Sequence, residues 1–223
     1  MQWSTFVLDT LIAPKLSELT CCGAPELPDF PNYRRSLLVN QLFSGIQYKE
    51  HTRILLNGFI GRLAEATKEY QAARICLDRY VSRLPEHDHL GEYWKSLMHF
   101  EVVVLRLHLA ITCLGGAVQS VGIDSPIFKR GDTSDYDRLR LINNRIKHFD
   151  EDIQEALNKK RAVPITPLWI TNDGIESSEA KLTFLELAEI LKTQTEDARN
   201  FSETFFNDAR DRRKESGLGT SLE

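Results

Sequence analysis

The sequence predicts a mainly α-helical antiparallel bundle with a small β-hairpin ahead of a long C-terminal helix. Three observations carry that prediction. Apolar residues recur at intervals of three and four through most of the 223 residues, which places them on one face of a helix. Clusters rich in proline and glycine punctuate the periodic segments, so the helices are separate rods joined by loops. A single Asn172-Asp173-Gly174 triplet sits between two short β-prone runs, Leu168–Thr171 and Ile175–Ser177, and reads as a tight hairpin. One domain is expected over residues 1–212, with a helical core at 33–160 and the hairpin and last helix at 165–212. The tail, 213–223, has nothing to bury and is expected to be disordered.

In order along the chain, Phe6, Val7, Leu11 and Leu16 predict a first helix from Trp3 to about Leu19, kinked or shortened by Pro14. The run CCGAPELPDFPN is a connector. From Tyr33 the pattern is helical for some fifty residues with a break near Gly45. Its later part places Leu55, Phe59, Leu63, Ala66, Tyr70, Ala73, Leu77, Tyr80 and Leu84 along one side of a long bundle helix. After a turn at Pro85, Asp88 is a plausible cap for the next helix, which is apolar nearly all round from Val102 to Leu114 and so predicts a central member of the bundle. Gly115 and Gly116 are expected to weaken its end. Ser134 and Asp137 resemble a capping box for a continuous helix to Leu157, with Ile142, Ile146, Phe149, Ile153 and Leu157 as its core stripe and Asp137, Leu141, Asn144, His148, Asp152 and Glu155 outward. The hairpin follows, then a second capping box, Thr183 and Glu186, opens the last helix.

Composition excludes some functions. At 42% apolar, 27% charged and a net charge of −4, the chain is an ordinary globular protein without the basic surface that avid nonspecific nucleic-acid binding requires. Four cysteines without CxxC spacing indicate neither a zinc site nor a disulfide framework, and reduced thiols in a cytoplasm are expected. The N-terminus lacks a basic signal-peptide region. The Val102–Leu114 run spans about 13 residues where a membrane helix needs about 20, so no membrane association is expected.

The polar run Asn143-Asn144-Arg145-Ile146-Lys147-His148 carries the sharpest chemistry. Asn144, His148 and Asp152 lie four apart on one helix face, so a carboxylate can orient the imidazole. A histidine beside Arg145 or Lys147 is what activation of a ribose hydroxyl and stabilisation of a phosphorane require. By composition and spacing alone, the same residues read first as a solvated charged face with a ladder of ion pairs.

INNRIKHFDEDI, late in a helical bundle and preceded by a helix carrying Trp94, Phe100 and Glu101, resembles the HEPN superfamily, most of all its abortive-infection and toxin branch. The family motif often runs Arg-Asn-x-x-Lys-His. The resemblance implies a metal-independent ribonuclease site at a dimer interface, with no cofactor, that leaves a 2′,3′-cyclic phosphate. It assigns Asn144 the polar position, Lys147 the lysine and His148 the histidine. Asn143 stands where the family has arginine and cannot supply a fixed positive charge or bidentate donors; Arg145, or less well Arg140, is the candidate substitute. Arg140, Asn143, Lys129 and Arg130 are expected to contact nucleic acid, with Lys159, Lys160 and Arg161 as further flanking cations. The expected partners are a second copy of the chain, paired through Leu141, Asn144 and His148, and an RNA or protein. The competing expectation is a noncatalytic helical interaction module, an adaptor or antitoxin-like partner.

Other groups read as structural: Glu101 as a core acid paired to Arg106 or Arg145, His99 and His108 as satisfied histidines, and Glu86, His87, Asp88 and His89 as a solvated turn.

Overall fold

The computed structural model describes residues 4–37, 49–84, 89–120, 122, 128–160 and 165–215, with side chains as far as residue 201. Its long elements are α1 (Glu50–Val81), α2 (Leu90–Ser120), α3 (Asp135–Lys147), α4 (Phe149–Asn158) and α5 (Phe184–Glu215). A small sheet of β1 (Trp169–Ile170), β2 (Gly174–Glu176) and β3 (Lys181–Thr183) precedes α5. The bundle with a small sheet before a long C-terminal helix is therefore the observed architecture.

The most extensive packing joins α1 to α2. Their antiparallel pairing shows at successive levels. Thr52 and Ser120 share a hydroxyl hydrogen bond of 2.7 Å, Arg106 meets Glu65 at 3.0 Å, His99 meets Glu69 at 2.5 Å, and Ser96 donates to the carbonyl of Ala73 at 2.8 Å. Phe59, Leu63, Ala66, Tyr70, Ala73, Leu77 and Tyr80 are all buried, as their spacing predicts, whereas Leu55 and Leu84 are half-buried at the two ends. Gly116 lies inside α2, which continues to Ser120. Its expected weakening is offset by close packing, since a Cβ there would come within 3.3 Å of the Leu55 side chain. Among the described residues α2 is also the one helix long and apolar enough to cross a membrane, a length that the Val102–Leu114 run understates. In the bundle its buried apolar residues, from Tyr93 to Ala117, belong to the core cluster.

The N-terminal segment departs from the expected helix. It makes a short turn at Thr5–Val7, a wider one at Leu8–Ile12, and a tight one at Leu16–Glu18. Pro14 has no amide to donate, and Lys15 takes a left-handed φ of 61°, so the helix cannot pass. The buried side chains are Leu8, Ala13, Leu16 and Leu19, whereas Phe6 and Leu11 are exposed. Residues 33–37 are helical as expected, and the predicted break near Gly45 falls outside the described residues, as do Asp88, Glu86, His87 and Arg161.

The expected continuous helix from Ser134 to Leu157 is two helices. Ser134 does cap α3, its Oγ accepting from the Asp137 amide at 3.2 Å. The break falls at His148, whose backbone (φ −106°, ψ 19°) is not helical. Charge explains the position: Arg145 and Lys147 occupy the last turn of α3, while Asp150, Glu151 and Asp152 occupy the first turn of α4, so each group opposes its own helix dipole favourably. The core stripe is correspondingly cut short. Leu139 and Ile142 are fully buried, Ile146, Phe149 and Ile153 are half-buried, and Leu157 is exposed.

The sheet has three antiparallel strands in the order β1-β2-β3, with Ile170 opposite Ile175 and Ile175 opposite Leu182. The hairpin is where the Asn-Asp-Gly triplet predicts it. Asn172 and Asp173 form the turn, closed by the Thr171 amide on the Gly174 carbonyl at 2.8 Å. Neither takes a positive φ, and Gly174 serves β2: a Cβ there would lie 2.3 Å from the Leu182 oxygen. The third strand enters α5 directly through a full capping box. The Thr183 amide donates to the Glu186 carboxylate (2.8 Å), and the Glu186 amide to the Thr183 hydroxyl (3.2 Å). Phe184 stacks on Phe100 with ring centroids 5.2 Å apart, which fixes the sheet and α5 against α2. The helix α5 runs to Glu215, past residue 212; residues 216–223 fall outside those described.

Candidate functional site

The break between α3 and α4 exposes part of the expected site and separates the rest. Lys147 and His148 are exposed, and His148 Nδ1 stands 3.1 Å from Glu151, not from Asp152. Asp152 instead bridges the break to Arg145 at 2.5 Å, and both side chains are mostly buried. Glu151 is the i+3 neighbour of His148 and Asp152 its i+4 neighbour, so either carboxylate can lie near the ring, and it is Asp152 that turns to Arg145. Arg145 also lines a concavity with Asp9, Thr10 and Pro14 of the N-terminal segment. Asn144 is half-buried on α3, and its carbonyl accepts the His148 amide at 3.0 Å.

Asn143 lies in the core. It is 0% exposed, and neither its Oδ1 nor its Nδ2 has a hydrogen-bond partner among the described residues. A side chain at this position cannot reach a phosphate in solvent. Asp137, expected outward, is also buried; it accepts from Nε and Nη2 of Arg140 at 2.9 and 2.6 Å and from the Gly131 amide at 3.0 Å. Arg140 is therefore a positioned cation, oriented by a buried carboxylate. Lys129 and Arg130 are exposed just before this loop.

On the facing helix, His108 completes a cluster that spacing alone did not reveal. Its ring stacks on Phe128 at 4.7 Å, and its buried Nδ1 has no partner among the described residues. Burial, reinforced by the charges of Lys147 and Arg140, pushes its pKa down to about 4. A neutral imidazole near two cations can accept a proton or hydrogen bond from a ligand whose negative charge the cations hold. Nothing in the α2 pattern distinguishes His108 from a satisfied core histidine; Arg140 and Lys147 reach it only through the antiparallel packing of α3 on α2. The other histidine in that stretch, His99, is satisfied by Glu69 as expected, and His89 touches Arg83.

Two concavities of about 310 Å³ each flank the segment Ile165–Pro167. One is walled by Arg145, Asp9, Thr10 and Trp169, whose indole Nε1 is buried without a partner among the described residues. Asp9 is committed to Ser17, accepting from its amide at 2.7 Å and its hydroxyl at 2.6 Å. The other lies between α2 and the α3–α4 break and is lined by Trp94, Met98, Glu101, Ile146 and Phe149. Glu101 pairs with neither expected arginine, since Arg106 holds Glu65 and Arg145 holds Asp152. Burial raises its pKa. Lys159 bonds Glu155 at the end of α4, as suits a cation at a helix C-terminus. Comparison with family models, with curated proteins and with solved structures finds no match to this chain.

Proposed function

We propose that this chain is a HEPN-like RNA-binding protein of the toxin or anti-phage defence type, acting in the cytoplasm as a homodimer through the Leu141, Asn144 and His148 face. The observation that supports the reading is the presentation of Lys147 and His148 to solvent at a helix break, on the same helix as the positioned Arg140 and facing His108 on α2. If the protein cuts, Arg140 and Lys147 supply the positive charge on the scissile phosphate, and His148 moves the proton of the ribose 2′-hydroxyl. Arg140 and Arg145 are each held by a carboxylate, Asp137 and Asp152, and Arg140 is preferred because it faces His108 together with Lys147. Single-stranded RNA incubated with purified protein in a chelator is the test. The reading expects binding at low salt and fragments ending in a 2′,3′-cyclic phosphate, both reduced at least tenfold in His148→Ala. Cleavage that persists at full rate in this variant refutes the assignment of His148.

A second reading, a noncatalytic interaction module, is favoured by the same ion pairs. Arg145 is neutralised by Asp152, and His148 has Glu151 beside it. It predicts a defined protein partner on purification and no RNA bound at low salt.

A further inference from the structure

We propose that the concavity between α2 and the α3–α4 break binds an organic cation, an ammonium or guanidinium group carried on an apolar stem. Its volume of about 310 Å³ sits at the small end of ligand pockets, roughly 300–1,000 Å³. Trp94, Met98, Ile146, Phe149 and Pro167 make the walls apolar and partly aromatic. Glu101 is the one ionisable group among them, and it has no hydrogen bond or ion pair with any described residue. Thr166, also on the wall, spends its hydroxyl on the Leu168 carbonyl.

These features select the ligand by elimination. An anion would meet the carboxylate with like charge. A neutral apolar molecule would fill the pocket but remove the remaining water from an unpaired carboxylate, which is costly. A cation answers both demands, because its charge pairs with Glu101 while its stem and edge lie against Trp94 and Phe149, where aromatic faces attract positive charge. Glu101 is half-buried and its pKa is raised by burial alone, as fits a carboxylate without a counter-charge among the described residues. The inference is independent of RNA binding, since it uses neither His148 nor the cations around it.

The test uses phenethylamine, its neutral isostere 2-phenylethanol, and the peptide acetyl-Ala-Arg-Ala-amide, each titrated into the full-length protein by calorimetry and ligand-observed NMR. Saturable binding of the amine is expected, at least about tenfold tighter than that of the alcohol, and Glu101→Gln is expected to bring the amine down to the level of the alcohol without loss of thermal stability. Met98 is exposed at the rim, so Met98→Lys should fold normally and block the pocket with a tethered cation. Preference for the peptide over the amine assigns the natural cation to a protein side chain, and the reverse assigns it to a free small molecule; both support the proposal. Equal affinity for amine and alcohol, unchanged amine binding in either variant, or no saturable binding of amine or peptide overturns it.

Discussion

Replacing Asn143 by leucine is expected to stabilise the protein. The Asn143 side chain is 0% exposed, and both amide atoms lack partners among the described residues. Holding an amide out of water without a hydrogen bond costs about 1–3 kcal/mol. Leucine keeps the branched outline, and its higher helix propensity adds about 0.4 kcal/mol. The larger methyl groups must be accommodated in a packed core, which takes back about 1 kcal/mol. The net gain is about 0.4–2.4 kcal/mol, a rise of roughly 1–10 °C in melting temperature for a chain of this size. Urea unfolding at pH 7 should show a higher midpoint with an unchanged slope. Asn143→Arg, which introduces the arginine of the motif that the sequence resembles, should lower stability by about 3 kcal/mol or more, because the guanidinium would enter the core without a counter-ion. A leucine variant with a lower midpoint, or an arginine variant as stable as the parent, refutes the placement of Asn143 in a dry core.

Two further outcomes follow from other groups. With a pKa of about 4 in the folded chain against about 6.5 unfolded, His108 binds its proton more readily in the unfolded state. Its contribution is therefore fully present above pH 6.5 and is lost as pH falls toward 4, by about 2–3 kcal/mol; Arg140 and Lys147 face it and strengthen the effect. Denaturant midpoints measured across that window should lose this slope in His108→Phe. Asn172→Ala removes the side chain that accepts from the Thr20 and Cys21 amides at 2.8 and 3.1 Å and donates to the Glu18 carbonyl at 3.0 Å. About 2–3 kcal/mol is expected to be lost. Hydrogen exchange of the Thr20 and Cys21 amides should accelerate far more than that of α1, and equal acceleration in both would argue against a local clasp.

The helical bundle was legible because long apolar periodicities and capping pairs are local. Phe59 to Tyr80 and Thr183-Glu186 specify their structure without help from distant residues. The helix break at His148 was also written locally, in the change from basic Arg145 and Lys147 to acidic Asp150, Glu151 and Asp152, but an unbroken apolar stripe masks it when periodicity is read first. The third strand escaped notice because Lys181-Leu182-Thr183 is short and carries a charge; it becomes a strand only beside β2. The site was less legible for a different reason. Which of Arg140, Arg145 and Lys147 attends which histidine depends on how α3 lies on α2 and on the angle at His148, and neither is encoded in spacing along one helix. Asn143 shows the limit most clearly: only its position in the packed bundle reveals that it is a core residue.

The clasp at Asn172 also sets an order of events during synthesis. The segment it holds, around residues 18–23, leaves the ribosome some 152 residues before its partner. The pairing of α1 with α2 is local and can form early, whereas the clasp is a contact of high sequence separation. At about 5–20 residues per second, Leu8, Ala13, Leu16 and Leu19 wait roughly 8–30 s without the turn that anchors them. The N-terminal segment is thus secured only after α1 and α2 have been made and can pair, although it precedes both in the chain.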